Sequence, residues 1–132
     1  LVIDPITTVY QDLLDESERK VGTEWGRHYG AANQQMKRLG NLLMSLDMNV
    51  IVTAHAKAIY GDGMTQIGVT FDGGKRLDYL FDLALELERR GKKRMAKVAK
   101  TRIAAFPDGD VFEWSYDAIA DRPLLSYSRS KP

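Results

Sequence analysis

Asp4 follows three large apolar residues, Leu1-Val2-Ile3, and precedes Pro5, Thr7 and Thr8. A carboxylate at the end of a short apolar run, with hydroxyls just beyond it, suits a hydrated magnesium ion held beside a nucleotide phosphate. The same aspartate would serve equally as the cap of a following helix. Far along the chain, Lys100-Thr101-Arg102 sets two cations two residues apart. On a strand such residues project from one face, about 6.5–7 Å apart. With Ala96 and Val98 preceding them on that face, they could clamp phosphate oxygens and stabilise charge developing in phosphoryl transfer. The plainer role is an edge strand whose charges prevent aggregation. A third group, Arg89-Arg90-Gly91-Lys92-Lys93-Arg94, places five cations in six positions. It reads first as a solvated tip and second as a source of attraction for polyanions.

These residues need elements to hold them. The run Leu1 to Asp4 reads as a strand buried on both faces, as in a parallel sheet. Thr8 to about Lys20 reads as a helix, with Val9 and Leu13, and Tyr10 and Leu14, each one turn apart. Pro5 sits where a helix start tolerates proline. Gly22-Thr23 breaks the pattern, and Thr23 is a candidate cap for a longer helix from Glu24 to Leu46. Its apolar line is Trp25, Tyr29, Ala32, Met36, Leu39, Leu43 and Leu46, alternating steps of four and three. That spacing fits a coiled-coil partner. A strand follows within three residues, which favours a crossover helix lying on a sheet.

The strand is Asn49 to His55, β-branched and ending in a polar residue. A parallel crossover would bring Asp4 and His55 out on the same sheet edge. Residues 58–75 carry five glycines and few large apolars, and read as a long mobile loop with a transient hairpin through Gln66 to Phe71. A short helix is expected around Lys75 to Tyr79. Phe81 to Glu88 alternates strictly and reads as a half-exposed strand, turned back by the basic tip into Met95 to Ile103. Pro107-Asp108-Gly109-Asp110 marks a turn, and Val111 to Trp114 a last strand. The class is α/β: parallel strands with crossover helices, then an antiparallel meander.

Composition sets bounds. The chain has 132 residues, 44% of them hydrophobic, enough for one domain with a core. No run approaches the roughly 20 apolar residues that span a bilayer, and the opening residues, read as a strand, are not expected to be a signal peptide. The absence of cysteine excludes disulfides and thiolate metal sites and fits a cytoplasmic protein. A net charge of +1 announces no nucleic-acid partner by itself. The first residue, Leu1, already belongs to a core strand, so a segment N-terminal to it is expected to be missing.

The order of these features resembles the C-terminal half of a RecA-like P-loop ATPase core. The flavour is nearest to the phage-type RecA-like proteins of single-strand annealing and recombination. Leu1-Val2-Ile3-Asp4 looks like the Walker B strand, and Val50 to His55 like the next strand, whose last residue senses the terminal phosphate. Residues 58–75 fall where the family has its mobile DNA-binding loop; Gly73-Gly74-Lys75-Arg76-Leu77, Ala96 to Ala105 and the strand at 111–114 resemble the run through its final core strands. The resemblance implies one partial domain over residues 1–132, lacking the Walker A segment. It implies ATP and Mg2+ as cofactors, with Asp4 holding the metal through water and Thr7 and His55 near the nucleotide. His55 would meet the terminal phosphate or the attacking water, although RecA has glutamine there. Lys100 and Arg102 would act as fingers in a neighbouring subunit's site, which implies a ring or filament. Lys57, Tyr60, Lys75 and Arg76 would meet single-stranded DNA. No membrane would be involved, and the setting would be the cytoplasm of a bacterial or phage-infected cell.

One departure stands out: no Gly-x-x-x-x-Gly-Lys-Ser/Thr occurs. The residues given are therefore expected to hydrolyse ATP poorly, and the intact protein to hydrolyse it. Two other readings stay open: a replicative-helicase-like motor of the same fold, and a non-enzymatic nucleic-acid-binding module that has lost the nucleotide site.

Overall fold

Two short apolar runs far apart in sequence find each other as a parallel pair. In the computed structural model, which describes residues 1–74 and 77–122, β1 (Val2–Ile3) pairs with β2 (Ile51–Val52), Val2 opposite Ile51 and Ile3 opposite Val52. The chain between them forms α1 (Ile6–Val21) and α2 (Arg27–Ser45), which pack on each other. Among the described residues neither helix is long and apolar enough to cross a membrane. The architecture is mixed α/β, with one parallel and several antiparallel pairings.

The chain divides into two compact units, residues 1–80 and the part from Phe81 onward. The core of the first holds Ile6 and Tyr10 of α1, Ala32, Met36 and Leu43 of α2, and Leu77. Each large apolar side chain buried this way contributes about 1.5–3 kcal/mol. Gly40 lets the 3₁₀ turn Leu77–Leu80 approach α2: a Cβ at Gly40 would stand 2.2 Å from the Leu80 Cδ1.

Several expectations change here. α1 begins at Ile6, two residues earlier than its periodicity indicated. The long helix is broken near its start: Glu24–Gly26 is a 3₁₀ turn in which Trp25 adopts φ 56°, and Thr23 makes no side-chain cap bond. Trp25 is 95% exposed, so the apolar line of α2 starts at Ala32, not at Trp25. β1 is not buried on both faces, since Val2 is 63% exposed. Among the described residues β1 and β2 pair only with each other, so no flanking strand covers them.

The expected loop is an ordered hairpin. β3 (His55–Tyr60) and β4 (Gln66–Asp72) pair antiparallel, from His55 opposite Asp72 to Tyr60 opposite Gln66, with a register shift between Ile59 and Tyr60. Backbone pairing along the arms gives this glycine-rich, polar segment the order that its composition does not advertise.

In the second unit, β5 (Leu83–Arg90), β6 (Lys93–Thr101) and β7 (Val111–Glu113) form an antiparallel sheet in that order. Arg90 pairs with Lys93 across a two-residue turn, Gly91-Lys92, and Gly91 takes the positive φ of 62° that such turns favour. Leu85, Leu87, Ala96, Val98 and Phe112 share one face by register, and Ala96, Val98 and Phe106 are fully buried. A short helix, α3 (Tyr116–Ala120), is capped by the Ser115 hydroxyl, which accepts from the Ala118 N–H at 3.0 Å.

Candidate functional site

The C-terminal end of the β1–β2 pair gathers the polar residues of the first unit. Its register, Ile3 opposite Val52, puts Asp4 opposite Thr53 and not opposite His55. Three bonds fix that pairing. The Thr53 N–H donates to the Ile3 carbonyl at 2.9 Å, and the Ile6 N–H donates to the Thr53 carbonyl at 2.8 Å. Pro5 has no N–H to offer, so the ladder passes from Ile3 to Ile6. The Thr53 hydroxyl then donates to the Asp4 carboxylate at Oδ1. Asp4 stays exposed. Thr53 does not stand out in the sequence, because the β-branched run continues through it toward His55; counting from the two apolar runs, Val2-Ile3 against Ile51-Val52, finds it.

Thr7, just beyond, is buried and clasps three segments together. Its hydroxyl donates to the Asp72 carbonyl at 2.5 Å and accepts from the His55 N–H at 2.9 Å. The hydroxyl proton is thus committed to the end of β4, and a remaining lone pair is what Thr7 could offer a ligand. His55 opens β3 rather than closing β2, with its side chain exposed and Asp72 directly across from it. Tyr10 lies near: burial, then the Asp72 charge, then Tyr29, push its phenol above the ordinary range. Asp4, Thr53, Thr7, His55 and Asp72 therefore form one polar end of the first unit.

The candidate DNA residues are distributed differently. Lys57 lies on the hairpin face of His55 and Thr70, whereas Tyr60, three residues on, lies beyond a register shift and is exposed. Lys75 and Arg76 lie outside the described residues.

In the second unit Lys100 and Arg102 do come together, on a different face from the one expected. Leu85 opposes Val98 but Ala84 opposes Lys100, so Ala99 is an extra residue, a β-bulge. The bulge shifts the alternation by one. Lys100 thereby leaves the buried face of Ala96 and Val98 and joins the face of Lys97 and Glu86. Both cations reach one acceptor: Lys100 Nζ donates to the Phe81 carbonyl at 2.5 Å, and Arg102 Nη1 donates to it at 3.3 Å. Arg102 also lies 3.7 Å from the Asp82 carboxylate, and its N–H donates to the Asp82 carbonyl at 2.8 Å. Two cations converging on one oxygen is geometry that a phosphate oxygen could also use.

A magnesium ion can be tested against these residues. Among the described residues no group of three His, Asp or Glu side chains is placed to hold a metal directly. Asp4, exposed and oriented by Thr53, fits an ion contacted through water, with phosphates and water completing its shell.

Comparison with known proteins adds a family. Neither the curated proteins nor the solved structures contain a match to the chain. A family model described as an AAA domain matches residues 1–105, which span β1 to the end of β6 and include Asp4, Thr53, His55, Lys100 and Arg102. The match covers most of the 132 residues, and the chain belongs to this AAA domain family, an ATPase-type nucleotide-binding domain.

Proposed function

We propose that the chain supplies the Walker B side and the later core strands of a RecA-like ATPase that binds single-stranded DNA and acts in recombination or single-strand annealing. The observation that carries this reading is the Asp4–Thr53 pair at the carboxyl ends of two parallel strands. Ligands of open α/β sheets bind at that edge, and a carboxylate oriented by a hydroxyl suits a water-mediated magnesium contact.

In this reading Asp4 orients water around Mg2+-ATP, and Thr53 fixes the carboxylate's direction. Magnesium, when bound, would offset the charge on the phosphates. His55 stands at the start of the next strand, within the same polar end, where it could meet the terminal phosphate or the attacking water. The phosphate cradle is absent from these residues and would come from outside them. Lys100 and Arg102 would exchange the Phe81 carbonyl for phosphate oxygens of a neighbouring subunit in a ring or filament. Lys57 and Tyr60, together with the charges of Lys75 and Arg76, would contribute cations and one stacking ring toward DNA.

The test is ATP turnover by the full-length protein, with and without single-stranded DNA, beside Asp4→Asn. DNA-stimulated hydrolysis that Asp4→Asn abolishes supports the reading. Equal turnover in wild type and Asp4→Asn removes Asp4 from the metal and sinks it.

A further inference from the structure

The basic tip of the β5–β6 hairpin divides into two faces that differ in how their charge is balanced. Register places Arg90 opposite Lys93 and Arg89 opposite Arg94, two like-charge pairs directly across from each other. Such pairs are destabilising unless something compensates them. One face is compensated. Arg90 meets Glu88 at 2.9 Å and Lys93 meets Glu113 at 2.8 Å, and the Glu113 contact holds the Lys93 ammonium above its ordinary range.

The other face is not. Arg89 Nε donates to the Gly91 carbonyl at 3.1 Å, and among the described residues neither Arg89 nor Arg94 has a carboxylate partner. An aromatic ring joins the two arginines on that face. Met95 opposes Glu113, and one position on, the Trp114 N–H donates to the Arg94 carbonyl at 2.8 Å. The register therefore continues as a row across three strands: Arg89, Arg94, Trp114. The row behind it is Leu87, Ala96, Phe112, with Leu87 54% exposed. Trp114 is itself 37% exposed, and Lys92 stands at the turn beside the row.

We propose that the row Arg89, Arg94 and Trp114, with Lys92, is a binding platform for single-stranded nucleic acid carried by the second unit. Two uncompensated guanidinium groups meet successive phosphates, and an exposed indole offers a stacking surface to an unpaired base. An acidic peptide would satisfy the arginines but would leave the indole without a role. Binding here needs no nucleotide, so the proposal stands apart from the ATPase reading.

The experiment is fluorescence anisotropy of a labelled oligothymidylate of about 16 nucleotides with the full chain, titrated over a range of salt. Arg89→Ala/Arg94→Ala is expected to weaken binding about tenfold and to lower the slope of log K against log salt by about 1.4, the share of two phosphate contacts on a single strand. Arg90→Ala/Lys93→Ala removes the same charge from the compensated face and is expected to change binding little. In a Trp25→Phe background of these 132 residues, in which Trp114 is the remaining tryptophan, the oligonucleotide is expected to quench the emission. Equal losses in the two double variants would reduce the tip to general charge and overturn the proposal. So would an unchanged affinity and salt slope in Arg89→Ala/Arg94→Ala, or unquenched Trp114 emission at saturation.

Discussion

The Thr53 hydroxyl donates to the Asp4 carboxylate across the β1–β2 pair, so the acidic residue at this sheet edge has its orientation set by its neighbouring strand. Removing that donor while keeping the side-chain shape tests what orientation contributes. Thr53→Val is expected to lower ATP turnover by the full-length protein about tenfold, the lower end of the range for residues that orient a metal-contacting group. It should also raise the magnesium concentration needed for half-maximal rate. Turnover and magnesium dependence equal to wild type would show that the hydroxyl serves only the fold.

Thr7 joins the start of α1 to both arms of the β3–β4 hairpin through one buried hydroxyl. Thr7→Val keeps the volume and leaves the Asp72 carbonyl and the His55 N–H short of a partner. The expected loss is about 1–3 kcal/mol, read as a lower urea midpoint. Thr7→Ser keeps the hydroxyl and should lose clearly less. A Thr7→Val midpoint equal to wild type, with the larger loss in Thr7→Ser, would assign the effect to the methyl group and its packing.

Tyr10 gives the first unit a sensitivity to alkali. Its phenol is held above the ordinary value of 10.0, chiefly by burial, then by the Asp72 charge and by Tyr29. Above pH 10 the folded state then retains a proton that the unfolded state has released. Stability from this group is complete below the unfolded pKa and falls as pH rises through the folded one. Between about pH 9 and about pH 11, wild type should lose more of its urea midpoint than Tyr10→Phe does. Parallel losses would mean that other groups govern the alkaline limit.

How much of this could be read from the residues alone depends on whether local pattern or register decides. The stripe Ala32, Met36 and Leu43 is buried as its helical spacing indicates, because burial on one helix face repeats along the chain. Asp4 at the end of a parallel strand was legible for the same reason: an apolar run stops at a charge. Its partner was not, because pairing Thr53 or His55 with Asp4 is a question of register between strands some fifty residues apart, and both endings look alike locally. The Lys100–Arg102 pair was legible as two cations on one face. Which face depended on the bulge at Ala99, an alanine with no local signature. The β3–β4 hairpin was masked by glycines that read as a loop. Asp72 and Arg122 were missed altogether, since their roles lie in contacts with distant segments.

Arg122 follows α3 and ties it back to the sheet of the second unit. Its guanidinium lies 4.2 Å from the Phe112 ring centroid and 4.8 Å from that of Phe106, and donates to the Asp110 carboxylate at 2.8 Å and the Ala105 carbonyl at 3.1 Å. A planar cation stacked on rings while bonding a carboxylate is a combination that lysine does not reproduce. Arg122→Lys is expected to lower stability by about 1 kcal/mol, through loss of the stacked contact. Arg122→Ala should cost about 1.5–3 kcal/mol, because the Asp110 carboxylate also loses its charged partner. Part of the side chain is open to solvent, which screens the ion pair and keeps these values at the low end. Urea unfolding of the two variants beside Asp110→Asn separates the contributions. If Asp110→Asn alone matches Arg122→Ala, the ion pair accounts for the effect and the rings do not; if Arg122→Lys falls most of the way to Arg122→Ala, stacking holds the helix down.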